Sequence, residues 1–575
     1  MNAPQTSRRI DAPAWRRHAP WLVAAYLVLF AALVHWPSFH GLTSPDAMRY
    51  ADAARNFVQG EGLVGNTVYP RNLADMRFTE RLGAEHIRPR DTRYTGYPLA
   101  LAGLFAVFGA RDGVVFGFAT ALWILGGLFV FGLGRRIFSL EAALLAVLLY
   151  SLQAKLVAYA VKGIAEPICI ALMLGGGLLI LARRYGGAAA VAAGLLGAFS
   201  FVVRQPMLFV TPIAFAGFVV LKDKARLRTA SLVIVGLAVG ILLRSWITPL
   251  LFPPHPVYPA ERVAVVASVD AAPSPAVAKG ALDDVLFRYL NVQVMAFSQR
   301  FPGHALERTI RDERAGEETA TAIFFAKMKY NLRLTVSILA HKTGAPLWSM
   351  FFLAALVLTF RDRSARWLSL MIAALFALTV AAGLALFVME RYFHLYIPLM
   401  ALVGGQGLVV LGQKLQAHRP AVRGVLLGAI VLAVSLPLPF GHLLPLLPAD
   451  ATMRDAAGTA AANAKAMAIA ALVRQHTEAD DIVFCDLPWI TSWYADRTSI
   501  WLPLEPEDVH ELARWVAADH LVLTLEVPQG FDTWRAWLIA GRQGELAPEQ
   551  LADWRLQAGT RFAGRGIYLF ERPTK

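Results

Sequence analysis

The feature that most constrains the fold is a series of long apolar runs separated by short basic segments. The first run extends from Trp21 to Trp36, and the others cover 113–134, 138–157, 164–182, 187–203, 207–221, 228–250, 346–360, 367–389, 394–413 and 423–440. The apolar core of a bilayer is crossed by a helix of about 17 to 25 residues. The pattern therefore predicts a mainly α, polytopic membrane helical bundle of about 11 to 13 spans.

Composition supports a membrane protein and argues against nucleic-acid binding. Hydrophobic residues make up 57% of the chain and charged residues only 17%, which exceeds what a soluble core needs. The net charge of +14 could suggest nucleic acid. Basic residues also collect in the cytoplasmic loops of membrane proteins, and no nucleic-acid-binding motif accompanies the charge. We therefore assign the charge to membrane topology, and we predict that Cys169 and Cys485 are unpaired.

The basic segments between the runs predict the orientation. They are Arg135–Arg136, Arg183–Arg184, 222–228, 361–366 and 414–423. With these segments in the cytoplasm, the N-terminus is cytoplasmic and the loops 38–112 and 251–345 share the other side with the chain after 441. Residues 96–110 are apolar but too short for a full span, so we interpret them as a half-depth helix. The chain is thus predicted to cross a membrane several times.

Two parts of the chain have a different character from the apolar runs. We predict a transmembrane domain over 1–440, in which loop 251–345 carries amphipathic juxtamembrane helices near 281–297 and 317–339. Residues 441–575 are predicted to form a small extracytoplasmic α/β domain, because helical and strand patterns alternate there. Its predicted elements are helices 460–476 and 507–518 and strands 481–485, 520–525 and 566–570.

Unusual polar groups collect at the extracytoplasmic ends of the predicted spans. Asp46 follows the first span, Glu166 opens another, and Arg204 lies between two. Ionisable groups at such positions are expensive to keep and point to a functional site. Each has a structural alternative: a helix N-cap for Asp46, a similar cap for Glu166, and a lipid headgroup contact for Arg204. Arg391, with Tyr392 and His394, interrupts two later runs in the same way.

Several short motifs occur in an order that resembles the GT-C superfamily of membrane glycosyltransferases, especially protein O-mannosyltransferases and lipid A aminoarabinose transferases. The motifs are Pro45-Asp46-Ala47-Met48-Arg49-Tyr50, Gly60-Glu61-Gly62, Tyr97-Pro98, Glu166-Pro167, Arg204 after a Gly- and Ala-rich run, and Glu390-Arg391-Tyr392 before Ile397-Pro398. Together they cover residues 20–415.

The resemblance implies a sugar donor linked to a polyprenyl phosphate and an extracytoplasmic lipid, glycan or protein acceptor. It also implies that the membrane is a bacterial inner membrane. It implies catalytic roles for Asp46, as the base in an inverting reaction, and for Glu166. Substrate binding would fall to Arg204, Arg391, Tyr392, His394, Lys162, Tyr50, Arg88 and Tyr94. The two arginines would bind the donor phosphate, whereas Arg88 and Tyr94 belong to a basic stretch that suits an anionic acceptor or lipid headgroups.

The sequence departs from some relatives in having no second carboxylate beside Asp46. A divalent metal needs several oxygen ligands, so we predict no metal and no cofactor. We also predict a monomer that contacts membrane lipids and binds no nucleic acid. Two alternatives remain open. One is a flippase or transporter of lipid-linked sugars. The other is a polysaccharide polymerase or ligase, for which loop 251–345 supplies Arg300, Arg308, Arg311 and Arg314.

Overall fold

The protein is represented by a computed structural model. The structure describes residues 15–251, 328–335, 346–418, 428–430, 455–524 and 534–572, with internal gaps of which the longest are 70–81, 90–94, 503–508 and 537–553. Most of loop 251–345, most of the predicted span 423–440 and most of the predicted helix 507–518 therefore lie outside the described residues.

Helices lie close to the predicted spans. They are α1 (Trp15–Phe30, continued by a π-helical turn Ala31–His35 and by Trp36–Ser38), α2 (Pro45–Val58), α3 (Gly96–Phe108), α4 (Asp112–Ile137), α5 (Leu140–Ser151), α6 (Ala154–Val161), α7 (Glu166–Ile180), α8 (Gly186–Val203), α9 (Met207–Leu221), α10 (Arg226–Leu251), α11 (Pro346–Thr359), α12 (Arg363–Ala385), α13 (Glu390–His394), α14 (Ile397–His418) and α15 (Asp455–His476). Within the described ranges, six helices are long and apolar enough to cross a membrane. The predicted count of 11 to 13 spans stays a prediction.

The predicted span 138–157 is not one straight helix. It is broken into α5 and α6, which meet at an angle of 59°. Gln153 lies in an extended conformation between them, and the Ser151 hydroxyl donates to the Leu148 carbonyl at 2.9 Å, where α5 ends. After α6 the chain turns at Gly163 (φ +68°), where a Cβ would meet Val115 at 2.8 Å. This break and turn bring the chain to the start of α7.

The short apolar segment 96–110 forms α3, as a helix of 13 residues. At 1.5 Å per residue it is about 20 Å long, shorter than the apolar core of a bilayer. Its depth in the membrane stays a prediction. The Tyr97 hydroxyl donates to the Gly163 carbonyl at 2.9 Å, and the Tyr97 ring packs edge-on against Tyr50. The helix α3 therefore braces both α2 and the turn that precedes α7.

A six-stranded sheet lies beyond the helices. Its strands are β1 (Thr67–Val68), β2 (Ile482–Cys485), β3 (Thr498–Trp501), β4 (Ala518–Leu523), β5 (Arg555–Phe562) and β6 (Arg565–Glu571), in the order β1-β3-β2-β4-β6-β5. The first four strands in that order are parallel, and β6 and β5 are antiparallel to their neighbours. Sequence patterns predicted β2, β4 and β6 but missed β3 and β5.

The edge strand β1 comes from the loop 38–112, the first loop, whereas the other five strands come from residues 441–575, the tail of the chain. Thr67 pairs with Ser499, and an isolated bridge joins Leu82 of the same loop to Val516. One face of the sheet packs into the hydrophobic core of the helical bundle, while the other face has its own core, to which the first loop also contributes. The tail and the first loop therefore fold together, and a domain boundary at 440 stays a prediction.

Candidate active site

Asp46 lies in the first turn of α2 and contacts a residue more than 300 positions away. Ser44 is the N-cap of this helix and Pro45 its first residue, so the N-cap alternative for Asp46 is wrong. Its Oδ2 instead accepts a hydrogen bond from Nη1 of Arg391 at 2.5 Å. A carboxylate in the first turn is also favoured by the helix dipole.

Glu166 is the first residue of α7, and Pro167 fixes the helical turn that follows it. The Glu166 Oε1 lies 3.0 Å from Nη1 of Arg204, and the two side chains are 1% and 2% exposed. The headgroup alternative for Arg204 is therefore wrong, because its guanidinium is buried against a carboxylate. Glu166 does lie in the first turn of α7 with proline after it, as the capping alternative predicts, but its carboxylate is buried against Arg204 and neither of its oxygens makes a hydrogen bond.

Arg391 joins these two pairs into one cluster of four charges. Its Nη1 lies 3.8 Å from Glu166 Oε1 in addition to its contact with Asp46. Arg391 is 21% exposed and Asp46 18%, whereas the Glu166–Arg204 pair is buried. The charges of the two carboxylates and the two guanidiniums sum to zero. Asp46 and Arg391 form the part of the cluster that is accessible from outside the protein.

Four more of the predicted substrate-binding residues lie on, or just after, α2, α6 and α13. Tyr50 lies within electrostatic range of all four charges, and Tyr392 lies within range of Arg204. His394 is buried and its Nδ1 hydrogen-bonds the Tyr159 hydroxyl, which joins α13 to α6. Lys162 follows the end of α6, four residues before Glu166.

Arg88 is placed away from the cluster, at the border of the first loop and the sheet. Its Nη1 pairs with Glu61 at 2.6 Å and its Nε donates to the Thr498 hydroxyl at 3.2 Å. These contacts give it a structural role, and a substrate-binding role for Arg88 stays a prediction. Tyr94 lies outside the described residues.

The cluster is a poor fit for a divalent cation. Asp46 and Glu166 are both engaged by guanidinium groups, so their charge is already compensated. A magnesium ion needs six oxygen ligands in an octahedral arrangement. Across the described parts of the chain, no group of three or more Asp, Glu, His or Cys side chains has the geometry to hold a metal.

Sequence reasoning missed the residues that connect the site to the sheet. Arg55 of α2 contacts the turn 491–496, and Asp112 accepts hydrogen bonds from Trp493 and Tyr494. Beside Arg55, burial raises the pKa of Asp52 to about 6, although the Arg55 guanidinium lowers it in part. No local pattern marks partners separated by several hundred residues.

Similarity to known proteins is visible only in the fold. No family model and no curated protein matches the sequence. The oligosaccharyltransferase of Archaeoglobus fulgidus, tethered with an acceptor peptide, aligns at a TM-score of 0.52 and 14% identity, over 97% of this chain and 74% of that one. The archaeal oligosaccharyltransferase AglB, from the same organism and in complex with an inhibitory peptide and a dolichol-phosphate, aligns at 0.50 and 12% identity, over 96% and 74%.

A further alignment extends over nearly all of both chains. ArnT from Cupriavidus metallidurans, bound to undecaprenyl phosphate, covers 95% of this chain and 98% of its own at 13% identity. Its TM-score of 0.48 is too low to support an inference by itself. At these identities the alignments with the oligosaccharyltransferase establish a shared fold, and the apolar helices identify a multi-pass membrane protein.

Proposed function

We propose that this chain, which has the fold of the GT-C membrane glycosyltransferases, transfers a sugar from a polyprenyl-phosphate-linked donor to an extracytoplasmic hydroxyl acceptor. The observation that carries the proposal is the contact between Asp46 and Arg391 beside the buried Glu166–Arg204 pair. It supplies a base and a cation side by side at the accessible part of the cluster. A dolichol-phosphate bound to AglB, which shares the fold, supports a lipid-phosphate donor.

The chemistry moves negative charge from Asp46 to the donor phosphate. Asp46 takes the proton of the acceptor hydroxyl while the hydroxyl oxygen attacks the anomeric carbon. The bond from that carbon to the phosphate oxygen breaks, and the departing phosphate gains one negative charge. Arg391, which pairs with Asp46 before the reaction, is the cation that can follow this charge to the phosphate. Cations fixed in a site of low polarity stabilise such a leaving group more strongly than water does.

The two arginines then have different tasks. Arg204 is held by Glu166 in the protein interior, so it adds a fixed positive field and keeps the carboxylate of Glu166 in place. Arg391 is partly exposed and contacts both acids, so it can exchange a carboxylate for a phosphate. We assign donor binding chiefly to Arg391, with Tyr392 and Tyr50 lining the same region.

The reaction is a single displacement that inverts the anomeric centre and uses no metal. Asp46 serves as a general base, a contribution of typically 10²- to 10⁴-fold. A double displacement would need a nucleophile that attacks the sugar itself, and the carboxylate of Glu166 is buried against Arg204. A product with retained configuration would exclude the single displacement.

The test uses purified full-length protein with labelled polyprenyl-phosphate sugars and extracted envelope acceptors. Asp46→Asn should lower transfer by at least 100-fold because it removes the base. The matched control is Asp480→Asn, at an exposed position in the tail, which should transfer normally. EDTA should leave the activity unchanged.

Three outcomes would contradict the proposal. Normal transfer by Asp46→Asn would remove Asp46 from the mechanism. Movement of the donor across proteoliposomes without its consumption would favour a flippase. Elongation of a lipid-linked glycan by repeated addition of the same unit would favour a polymerase.

A further inference from the structure

Arg55 lies on the same helix as Asp46, nine residues later, and its guanidinium binds the tail of the chain. It donates to the carbonyl of Trp493 at 3.0 Å and to that of Ser492 at 2.9 Å. Its Nη2 lies 2.6 Å from a carboxylate oxygen of Asp496, and the group sits 5.1 Å from the centre of a Trp493 ring. One side chain of α2 therefore binds the backbone, a carboxylate and an aromatic ring of a single turn.

The turn that receives Arg55 has an unusual backbone. It is a π-helical turn, Thr491–Ala495, that ends at Asp496 with φ +57°. A non-glycine residue in the left-handed region costs free energy and persists only where its surroundings impose it. The carboxylate of Asp496 is 52% exposed and still pairs with Arg55. The turn is thus held in a specific shape in which it meets α2.

A second set of contacts fixes the position of this turn against the helical bundle. The indole nitrogen of Trp493 and the hydroxyl of Tyr494 both donate to Asp112, at the start of α4, at 2.7 Å each. On the other side of Arg55, the Asp52 carboxylate pairs with it at 2.7 Å and accepts the amide of Asn66 at 2.6 Å. The turn is therefore anchored to α4, and α2 is anchored to the turn.

We propose that Arg55 is a positioning residue, through which the turn 491–496 of the tail holds α2 in the orientation that places Asp46 against Arg391. The inference rests on the proposed role of Asp46 as the base. Nine residues of helix separate Arg55 from Asp46, which is about 13 Å along the axis. A tilt of about 10° at Arg55 would shift Asp46 by roughly 2 Å over that length. Misplacement by 1 Å can cost about 100-fold in rate.

A neighbouring arginine provides the matched control. Arg497 binds the same turn through the carbonyls of Ala495 and Asp496, and it also donates to the carbonyl and hydroxyl of Thr477. All of these partners belong to the tail. Substitution of Arg497 therefore weakens the turn without removing a contact to α2, whereas substitution of Arg55 removes the contact itself.

The experiment compares Arg55→Gln, Arg55→Lys, Asp496→Gly and Arg497→Lys in the full-length protein, with kcat expressed per folded molecule. Arg55→Gln should lower kcat by about 10- to 100-fold and leave the KM for the polyprenyl-phosphate sugar within twofold, because Arg391 is untouched. Arg55→Lys should restore part of the loss. Asp496→Gly keeps a backbone that favours positive φ but lacks the carboxylate, so it should show a smaller loss of kcat with the same KM.

The Arg497 control separates positioning from stability. Arg497→Lys should lower only the yield of folded protein. If Arg55→Gln and Arg497→Lys give the same kcat per folded molecule, the positioning role is overturned.

Hydrogen exchange tests the coupling without any substrate. In Arg55→Gln, the amides of the first turn of α2, such as Met48, which bonds the Ser44 carbonyl at 3.1 Å, should exchange faster than in the wild type. They should be unchanged in Arg497→Lys. Unchanged exchange in Arg55→Gln would also overturn the inference. An absence of sugar transfer by the wild type would contradict the proposed function and leave this exchange result to stand alone.

Discussion

At the residue scale, Arg204 and Arg391 carry the same charge in different environments. Arg204 is buried with Glu166, so its charge is matched in the interior and has little access to ligands. Arg391 is partly exposed and shared between two carboxylates. Because of this difference in burial, Arg204 has a structural role, whereas Arg391 can change partners.

The first prediction concerns this difference. Arg204→Gln should destabilise the folded protein by about 3 to 5 kcal/mol, because it leaves the Glu166 charge buried without its partner. Arg391→Gln should cost less stability than Arg204→Gln, because its pair with Asp46 is partly exposed, and it should instead weaken donor binding. Melting temperature in detergent and donor titration measure the two effects. The double variant Glu166→Gln/Arg204→Gln should recover part of the stability, and a result as poor as the single variant would contradict the burial explanation.

A second residue-scale prediction concerns Asp52 and pH. Burial raises the pKa of Asp52 from 3.8 to about 6 in the folded protein. Between these values the folded state binds a proton that the unfolded state lacks, so the contribution of this carboxyl to stability falls as pH rises. The stability advantage of the wild type over Asp52→Asn should decline by about 1.4 kcal/mol per pH unit over that window and be constant above it. Unfolding at pH 4 to 7 measures it, and an advantage independent of pH would contradict it.

At the scale of elements, glycine allows α8 and α10 to touch along their backbones. A Cβ on Gly194 would lie 2.2 Å from the Val233 carbonyl, and a Cβ on Gly236 would lie 2.2 Å from that of Val191. Gly240 faces Ala198 in the same crossing. Small residues four positions apart on each helix are typical of close helix contacts in membranes.

The third prediction follows from this crossing. Gly194→Ala or Gly236→Ala should push α8 and α10 apart and lower the melting temperature in detergent. Gly117→Ala is the control, because a Cβ there meets nothing within 4 Å. This control should be neutral or more stable by up to about 1 kcal/mol, as alanine has the higher helix propensity. Equal effects at the two kinds of site would show that the backbone contact does not matter.

At the scale of the whole molecule, the tail is joined to the bundle by contacts from three separate segments. The first loop contributes β1 to the sheet, where the Ser499 amide also donates to the Asn66 carbonyl at 2.8 Å. Asp112 binds Trp493 and Tyr494, and Arg55 binds the same turn. These polar contacts surround a hydrophobic core that is continuous from the bundle into one face of the sheet.

The fourth prediction tests this attachment. A protease site inserted between residues 441 and 450 should allow the chain to be cut while the tail still co-purifies with the bundle in detergent, because the attachment does not depend on that link. Combining the cut with Asp112→Ala and Arg55→Ala should weaken the attachment, so that a larger fraction of the tail is released than from the cut protein without these substitutions. Release from the otherwise unmodified protein would show that the noncovalent contacts are weak.

Local sequence was enough to predict several parts of this fold and site. Apolar length placed the helices, since a helix in a membrane satisfies its backbone hydrogen bonds within itself. Pro167 after Glu166 marked the start of α7, and the apolar sequence on both sides of Arg204 indicated its burial. In each case the cause lies within about twenty neighbouring residues.

Tertiary structure alone decided which charges are partners and how the tail is held. Asp46 could as well have capped its helix, and Arg204 could have reached lipid headgroups, until burial and distance excluded both. The strand β1 has two residues, too few to show any periodicity, and Arg55 lies on an ordinary helical face. Contacts between residues hundreds of positions apart depend on how the whole chain packs, so the place of Asp46 beside Arg391 is a property of the complete fold.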